Sequence, residues 1–357
     1  MIEILKASQL TAEQIRAWSG IQRAKPLFES PFFHPEFTLA VAQVRDDVEL
    51  AILHDERGVC GFFPFHRHNR GYALPVGEHA SDYHGVISRA GSSWNAYELL
   101  RGANLNTWCF NHLLAGQEQF AQFHCRRDSS PFMDLSDGFD AYRRTRAKAS
   151  SDSIEQTLRK SRKMGRECGE LRLEFNNRSP ELLDTLFDWK RRQYRLNNVR
   201  DVLQPAWTRQ LRRRLLLHDQ PDCFGTLSVL YAGSQVAALC FGLVSRHVLH
   251  SWITCYDPQF TSYSPGAVLF VELAKAAVDR GITRIDFGKG PELYKQRFAS
   301  GSVPLAEGFV DRRLVGRTLR NGYWKTRNWV RQSPLRTTVK RLAAAIRPLT
   351  DFAAARR

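Results

Sequence analysis

No stretch of the 357 residues stays apolar for the roughly 18–20 positions that a membrane-spanning helix requires. A helical span is therefore excluded as the organising element. The N-terminal run Met1-Ile2-Glu3-Ile4-Leu5-Lys6 has no basic-then-apolar layout of a secretory signal, and a cytoplasmic protein is expected. Cysteine is sparse and scattered: Cys60, Cys109, Cys125, Cys168, Cys223, Cys240 and Cys255 are odd in number and include no C-x-x-C pair. Zinc sites and disulfide frameworks need clustered ligands, so these read as reduced thiols buried among apolar neighbours. His66 and His68 form a close pair but are flanked by Arg67 and Arg70, with no third ligand within reach by sequence. No metal is expected.

Negative charge is scarce at one end only. From Asp311 onward thirteen Lys/Arg face Asp311 and Asp351 alone, which places +11 of the formal +16 in that segment and leaves +5 for all that precedes it. The remainder is only mildly basic, so net charge does not make the whole chain a nucleic-acid binder. A hydrophobic content of 43% is that of a globular protein, and the length suffices for two domains.

What is present is an alternation of strand-like and helix-like runs. Val48–His54 and Val59–Phe65 flank the turn Asp55-Glu56-Arg57-Gly58, and Leu227–Tyr231 and Val236–Phe241 flank Ala232-Gly233-Ser234-Gln235. Both read as hairpins with four-residue turns, and their matching layout points to a duplicated αβ unit. A basic bridge lies between them: Tyr142–Lys148, then a helix over Ser153–Cys168 carrying Arg159, Lys160, Arg162, Lys163 and Arg166, with Gly169 as its stop. Glu181–Leu196 reads as a second helix.

The densest chemistry falls in residues 256–295. A β-prone run over Val248–Asp257 ends at Pro258. Ser264 is then placed to N-cap a helix with Pro265 in its first turn, an apolar face of Ala267, Phe270, Val271, Ala274, Ala277 and Val278, and Gly281 as its C-cap. Arg284–Phe287 follows as a short strand, and Gly288-Lys289-Gly290 as a sharp turn. A helix N-terminus beside a strand end offers free N–H groups and the positive end of the dipole to an anion. Gly266, lacking a side chain, lets a diphosphate approach the amides of Gly266, Ala267 and Val268. Asp286, His250, Tyr256, Glu292, Tyr294 and Lys295 supply a base, an acid and a cation around one cleft.

In Ser30-Pro31-Phe32-Phe33-His34-Pro35-Glu36-Phe37, Ser81-Asp82-Tyr83, Tyr256-Asp257-Pro258, Tyr263-Ser264-Pro265-Gly266, Asp286-Phe287-Gly288-Lys289-Gly290 and Tyr294-Lys295 the chain resembles the CelD/BcsL-type acetyltransferases linked to cellulose and other exopolysaccharide biosynthesis. That family is part of the GNAT superfamily and is related to the FemAB-type aminoacyltransferases. The resemblance implies an α/β (α+β) fold of tandem GNAT-like domains with mixed central sheets flanked by helices. It divides the chain into a degenerate GNAT-like domain at 1–150, an acetyltransferase domain at 151–310 and a basic tail at 311–357. It also implies acetyl-CoA or another acyl-CoA as donor, a glycan or sugar precursor as acceptor, and no metal. Tyr263-Ser264-Pro265-Gly266-Ala267 stands where that superfamily usually carries a Gln/Arg-x-x-Gly-x-Gly/Ala loop.

On this reading Ser264, Pro265, Gly266 and Ala267 hold the donor diphosphate. Asp286 is the base, facing the cleft directly or through one water, with His250 in reserve. Tyr294 protonates the departing thiolate, Lys295 offsets negative charge, and strand amides from Val248–Asp257 receive the oxyanion. Asp82, Tyr83 and Trp108 are placed either toward a glycan or in the core. Two rival readings stand beside it: a FemAB-like transferase taking aminoacyl-tRNA, with the basic bridge and tail on its phosphates, and a non-catalytic membrane-surface or nucleic-acid adaptor. For the tail, Trp324, Trp329, Val330, Leu335, Val339, Leu342 and Ile346 interleave with cations, interrupted by Pro334 and Pro348. Such a segment suits peripheral contact with the inner membrane or a polysaccharide synthase.

Overall fold

Both expected hairpins form, and each is tighter than its sequence suggests. In this computed structural model, which describes residues 1–149, 153–218, 222–290 and 292–332, pairing extends to Asp55 opposite Gly58 and to Ala232 opposite Gln235. Each turn is thus two residues long rather than four. The strands are β1 (Ile2–Lys6), β2 (Val48–Asp55), β3 (Gly58–His68), β4 (Tyr72–Pro75), β5 (Ile87–Ser88), β6 (Thr107–Leu114), β7 (His124–Asp134), β8 (Leu171–Asn177), β9 (Phe224–Ala232), β10 (Gln235–Ser245), β11 (Val248–Tyr256), β12 (Arg284–Asp286) and β13 (Gly301–Asp311). The helices are α1 (Ala12–Ala24), α2 (Pro35–Ala42), α3 (Ala96–Gly102), α4 (Gly138–Ala149), α5 (Ser153–Cys168), α6 (Pro180–Leu196), α7 (Ala206–Leu217), α8 (Pro265–Val278), α9 (Leu293–Phe298) and α10 (Leu314–Gln332).

The fold is α/β, a mixed sheet with helices against its faces. Strand order is β1-β2-β3-β4-β6-β13-β7-β12-β11-β10-β9-β8, with β5 on β3. β13, from the far end of the chain, lies between β6 and β7, while β7 also pairs with β12. The two halves therefore share one sheet. At Gly308 the β13 register shifts, and a Cβ there would lie 2.0 Å from the Phe123 carbonyl oxygen, so only glycine fits.

Period-two alternation along β10 shows how the layers stack. Leu239, Phe241 and Leu243 enter a core with Leu183, Leu186, Leu211 and Leu215 of α6 and α7, which continues into Trp18, Phe28, Phe33 and Phe62 of the first half. Ala238, Cys240 and Val244 face the other way, into a core with Val268, Phe270, Val271 and Ala274 of α8. A third cluster, including Phe63, Phe65, Leu99, Trp108 and Phe120, fills the first half's other face. Trp108 is thus a core residue, edge-on to Phe63 and tilted against Phe110 and Phe120.

The seven cysteines are free, with Cys60, Cys223, Cys240 and Cys255 buried and Cys109, Cys125 and Cys168 half-buried. No described helix is long and apolar enough to cross a membrane. Of the tail, α10 is described; Leu335, Val339, Leu342, Ile346 and the prolines at 334 and 348 lie outside the described residues.

Candidate active site

β11 and β12 are parallel neighbours for three residues only: Val248 opposite Arg284, Leu249 opposite Ile285 and His250 opposite Asp286. β12 then ends, and the chain turns at Gly288 (φ 69°), while β11 runs on to Tyr256. The strands part into a V with His250 and Asp286 at its vertex.

The first half closes over that vertex. Phe32 packs edge-on against His250 at 4.9 Å between ring centroids and against Trp252 at 5.3 Å. The loop carrying Asp82 and Tyr83 supplies the rest: Asp82 Oδ2 lies 2.8 Å from His250 Nε2, and the Tyr83 hydroxyl donates to Asp286 Oδ2. Ser130 of β7 donates to Asp286 Oδ1 at 2.6 Å, as does the Gly288 amide at 2.8 Å. His250 Nδ1 stands 3.3 Å from the same oxygen, a charge contact not aligned as a hydrogen bond.

Asp286 is therefore enclosed at that vertex. It is 2% exposed, and both of its oxygens are engaged within the protein. A hydroxyl from each of two distant segments converges on it, which spacing around residue 286 could not reveal. The open end of the relay is Asp82, a quarter exposed at its side chain, with His112 Nε2 3.7 Å from its other oxygen.

Burial works against a charged His250, but the carboxylates of Asp286 and Asp82 outweigh it and raise the imidazole to about 9. Burial likewise opposes charge on Asp82 and Asp286, yet their bonds to His250 hold both below the ordinary carboxylate range. At neutral pH the relay is carboxylate, imidazolium, carboxylate, with a net charge of −1. His112 is neutral there, lowered to about 4 by burial.

Lys295 is buried beside this relay, its Nζ donating to the carbonyls of Gly288 (3.2 Å) and Lys289 (3.1 Å) and pairing with Glu292 at 3.1 Å. It holds the turn after β12. Tyr294 stacks on Phe270 (centroids 5.3 Å, planes 13° apart); burial first, then the Glu292 carboxylate, raises its phenol, so it stays protonated at neutral pH. Tyr256, at the far end of β11, is exposed.

Three groups near β11 escaped the sequence reading. Lys190 of α6 donates to the Thr254 carbonyl at 3.0 Å and is lowered by burial. Arg212 of α7 is buried against Trp252, 4.2 Å from its ring, and burial lowers it to about 10. Tyr194, one turn beyond Lys190, is raised to about 12, again by burial. The four-residue spacing of Lys190 and Tyr194 on α6 was the available signal.

Ser264, Pro265, Gly266 and Ala267 do open α8, but Ser264 does not cap it with its side chain. Its backbone is left-handed (φ 54°), and its Oγ accepts instead from Lys160 of α5 at 2.7 Å. The basic helix thus reaches the amides of the first turn. A Cβ at Gly266 would meet only Tyr256 Cδ1, at 3.6 Å, so packing within the chain does not demand glycine there. Of the three amides expected to hold an anion, those of Ala267 and Val268 donate to the Ser264 carbonyl at 2.9 and 3.2 Å, and Pro265 has no N–H, so the Gly266 amide with Lys160 nearby is what the turn offers an anion.

His68 does acquire possible co-ligands in space, since atoms of Asp47, His68 and Glu78 lie within 4.8 Å of one another. Arg45 pairs with both of those carboxylates, and His66 lies 2.9 Å from Asp47, so both carboxylates already have partners within the chain.

Residues 152–296 match the family model of the acetyltransferase (GNAT) domain. Among solved structures, FemX superposes with a TM-score of 0.59 at 10% identity, covering 89% of this chain and 99% of that one. The C-terminal domain of a proposed lysylphosphatidylglycerol synthetase from Agrobacterium fabrum gives 0.52 at 13% identity, covering 87% and 94%. L-PGS from Bacillus licheniformis gives 0.50 at 13% identity, covering 87% and 95%. At such identities the likeness is one of fold, and it extends over both halves. No curated protein sequence matches this one.

Proposed function

We propose that this GNAT-type acyltransferase moves an acetyl or other acyl group from acyl-CoA to an amine or hydroxyl of a glycan or glycan precursor. The donor half of the reading is supported by the GNAT match over 152–296 together with the first turn of α8, where Gly266 follows the Ser264 hydroxyl that binds the Lys160 ammonium. The acceptor half rests on the resemblance to the CelD/BcsL-type enzymes, and with it the assignment to exopolysaccharide biosynthesis.

The observation that carries the mechanism is the Asp82–His250–Asp286 relay at the point where β11 and β12 separate. A net charge of −1 there attracts an acceptor ammonium and opposes its release unprotonated. The acceptor proton passes through Asp82, the open end, to a neutral His250 bonded to its other oxygen; Asp286 fixes the ring from behind. The freed nucleophile attacks the thioester carbonyl, a new C–N or C–O bond forms, the C–S bond breaks, and Tyr294 delivers a proton to the thiolate; where the acceptor is an amine, the second proton lost by its nitrogen restores the Tyr294 phenol. Asp286 is then a positioning residue, and Asp82, backed by His250, takes the role of base.

Titration calorimetry with acetyl-CoA tests the donor site. Wild type is expected to bind and Gly266→Glu to lose binding, with an unchanged melting temperature, because the added Cβ has room while its carboxylate repels the diphosphate. No binding by folded wild type would remove acyl-CoA as donor. Tight, salt-sensitive binding of aminoacyl-tRNA in its place would favour the FemAB-like reading, for which α5 with Arg159, Lys160, Arg162, Lys163 and Arg166 supplies phosphate partners.

A further inference from the structure

α10 presents its faces in the reverse of the usual order. A surface helix normally turns its apolar stripe to the core and its charges to water. Here the protein-facing side carries Arg320 and Arg327, with the exposed Arg313 just ahead of the helix. Arg313 Nε lies 3.2 Å and Arg320 Nε 3.3 Å from the Asp311 carboxylate, and Arg327 Nη1 lies 3.4 Å from Glu307. Trp324, placed among the interfacial aromatics by its sequence context, is half-buried on this same side, with the Arg327 guanidinium 4.6 Å from its ring.

The outward side is apolar. Leu314, Val315, Leu319, Tyr323 and Trp329 are 61–75% exposed, and they are five of the thirteen large hydrophobic side chains exposed among the described residues. Thr318, Gly322 and Thr326 also lie on that half of the helix, where the exposed Lys325, between Leu314 and Thr318 around the axis, is the single charged side chain. Around this face negative charge is missing: residues 312–350 contain eleven Lys/Arg and no Asp or Glu.

We propose that this face of α10 docks on an anionic lipid surface, with Leu314, Val315, Leu319, Tyr323 and Trp329 at the headgroup boundary and the surrounding cations on the headgroups. Charge decides the occupant. A second copy of the chain seated on the same face would bring two acid-free basic segments together, whereas anionic headgroups neutralise one. The proposal rests on α10 alone and stands apart from the acyl-transfer reading.

The test is flotation of the full-length protein with vesicles of phosphatidylcholine containing about a third phosphatidylglycerol, beside pure phosphatidylcholine vesicles and the double variant Leu319→Glu/Tyr323→Glu. Both substituted positions are exposed, so the melting temperature and acetyl-CoA binding should match wild type. Wild type should float with the anionic vesicles, less with neutral ones, and progressively less as salt is raised. The double variant should bind at least about tenfold more weakly. Absence of wild-type binding, or equal binding by the variant, overturns the proposal. So does a wild-type dimer in sedimentation that the variant dissolves, since the face would then belong to a second copy.

Discussion

His250 is fully buried between two carboxylates, and that position governs two pH dependences. Its folded pKa, about 9, lies above its ordinary 6.5. The stabilisation it brings is therefore fully present below about pH 6.5 and is lost as pH rises through 9. Melting temperature should fall between pH 7 and 10 in wild type, and thermal scans of His250→Asn should show a flatter dependence across that window. For catalysis, deprotonated His250 makes the relay a stronger base, so kcat/KM should climb toward pH 9. Asp286→Asn removes one of the carboxylates that raise the imidazole, and the rising limb should move to lower pH; a limb that stays in place would sever Asp286 from His250. Asp82→Asn should cost about 10²–10⁴-fold in kcat, and near-normal turnover would rule out Asp82 as base. The residues of the relay were legible by type and by motif, since Asp82, Tyr83, His250 and Asp286 were all singled out. Their roles were not, because the contacts that engage Asp286 come from Tyr83 and Ser130, 203 and 156 positions away.

Among elements, the ones read correctly from sequence are those that carry their own signal. α8 shows helical periodicity with a proline start and a glycine near its end, and the β2–β3 and β9–β10 hairpins show strand runs around polar turns. Ser264 departs from expectation because Lys160 competes for its hydroxyl, a tertiary contact with no local trace. β13 is the element least visible in advance, for its neighbours β6 and β7 lie far upstream. Its fit depends on Gly308, where any side chain would collide with the Phe123 backbone. Gly308→Ala should destabilise by about 1–3 kcal/mol, as overpacking in a core does, and chemical denaturation should show it as a lower midpoint. Gly322→Ala, with nothing within 4 Å of the new Cβ, is the matched control and should leave the midpoint unchanged or raise it.

For the molecule as a whole, the repeated hairpins suggest two αβ units, but the joining of the chain into one sheet leaves no trace in the local sequence. One core runs from Trp18 and Phe62 through Leu183 and Leu211 to Phe241, and the sheet continues through β13, β7 and β12 without a gap. Unfolding should accordingly be a single transition in scanning calorimetry, with the signals of both halves lost together. Two separated transitions would mean that the shared sheet contributes little to coupling. The position of β13 also sets an order on biosynthesis. Thr107 bonds to Asp311, 204 positions later, so while a ribosome is still translating the middle of the message, β6 and β7 emerge with the slot between them vacant. The first half leaves the exit tunnel with one edge of β6 and both edges of β7 unpaired, and the slot between them stays open until residues 301–311 have been made. A nascent-chain chaperone would have its reason to act in that interval.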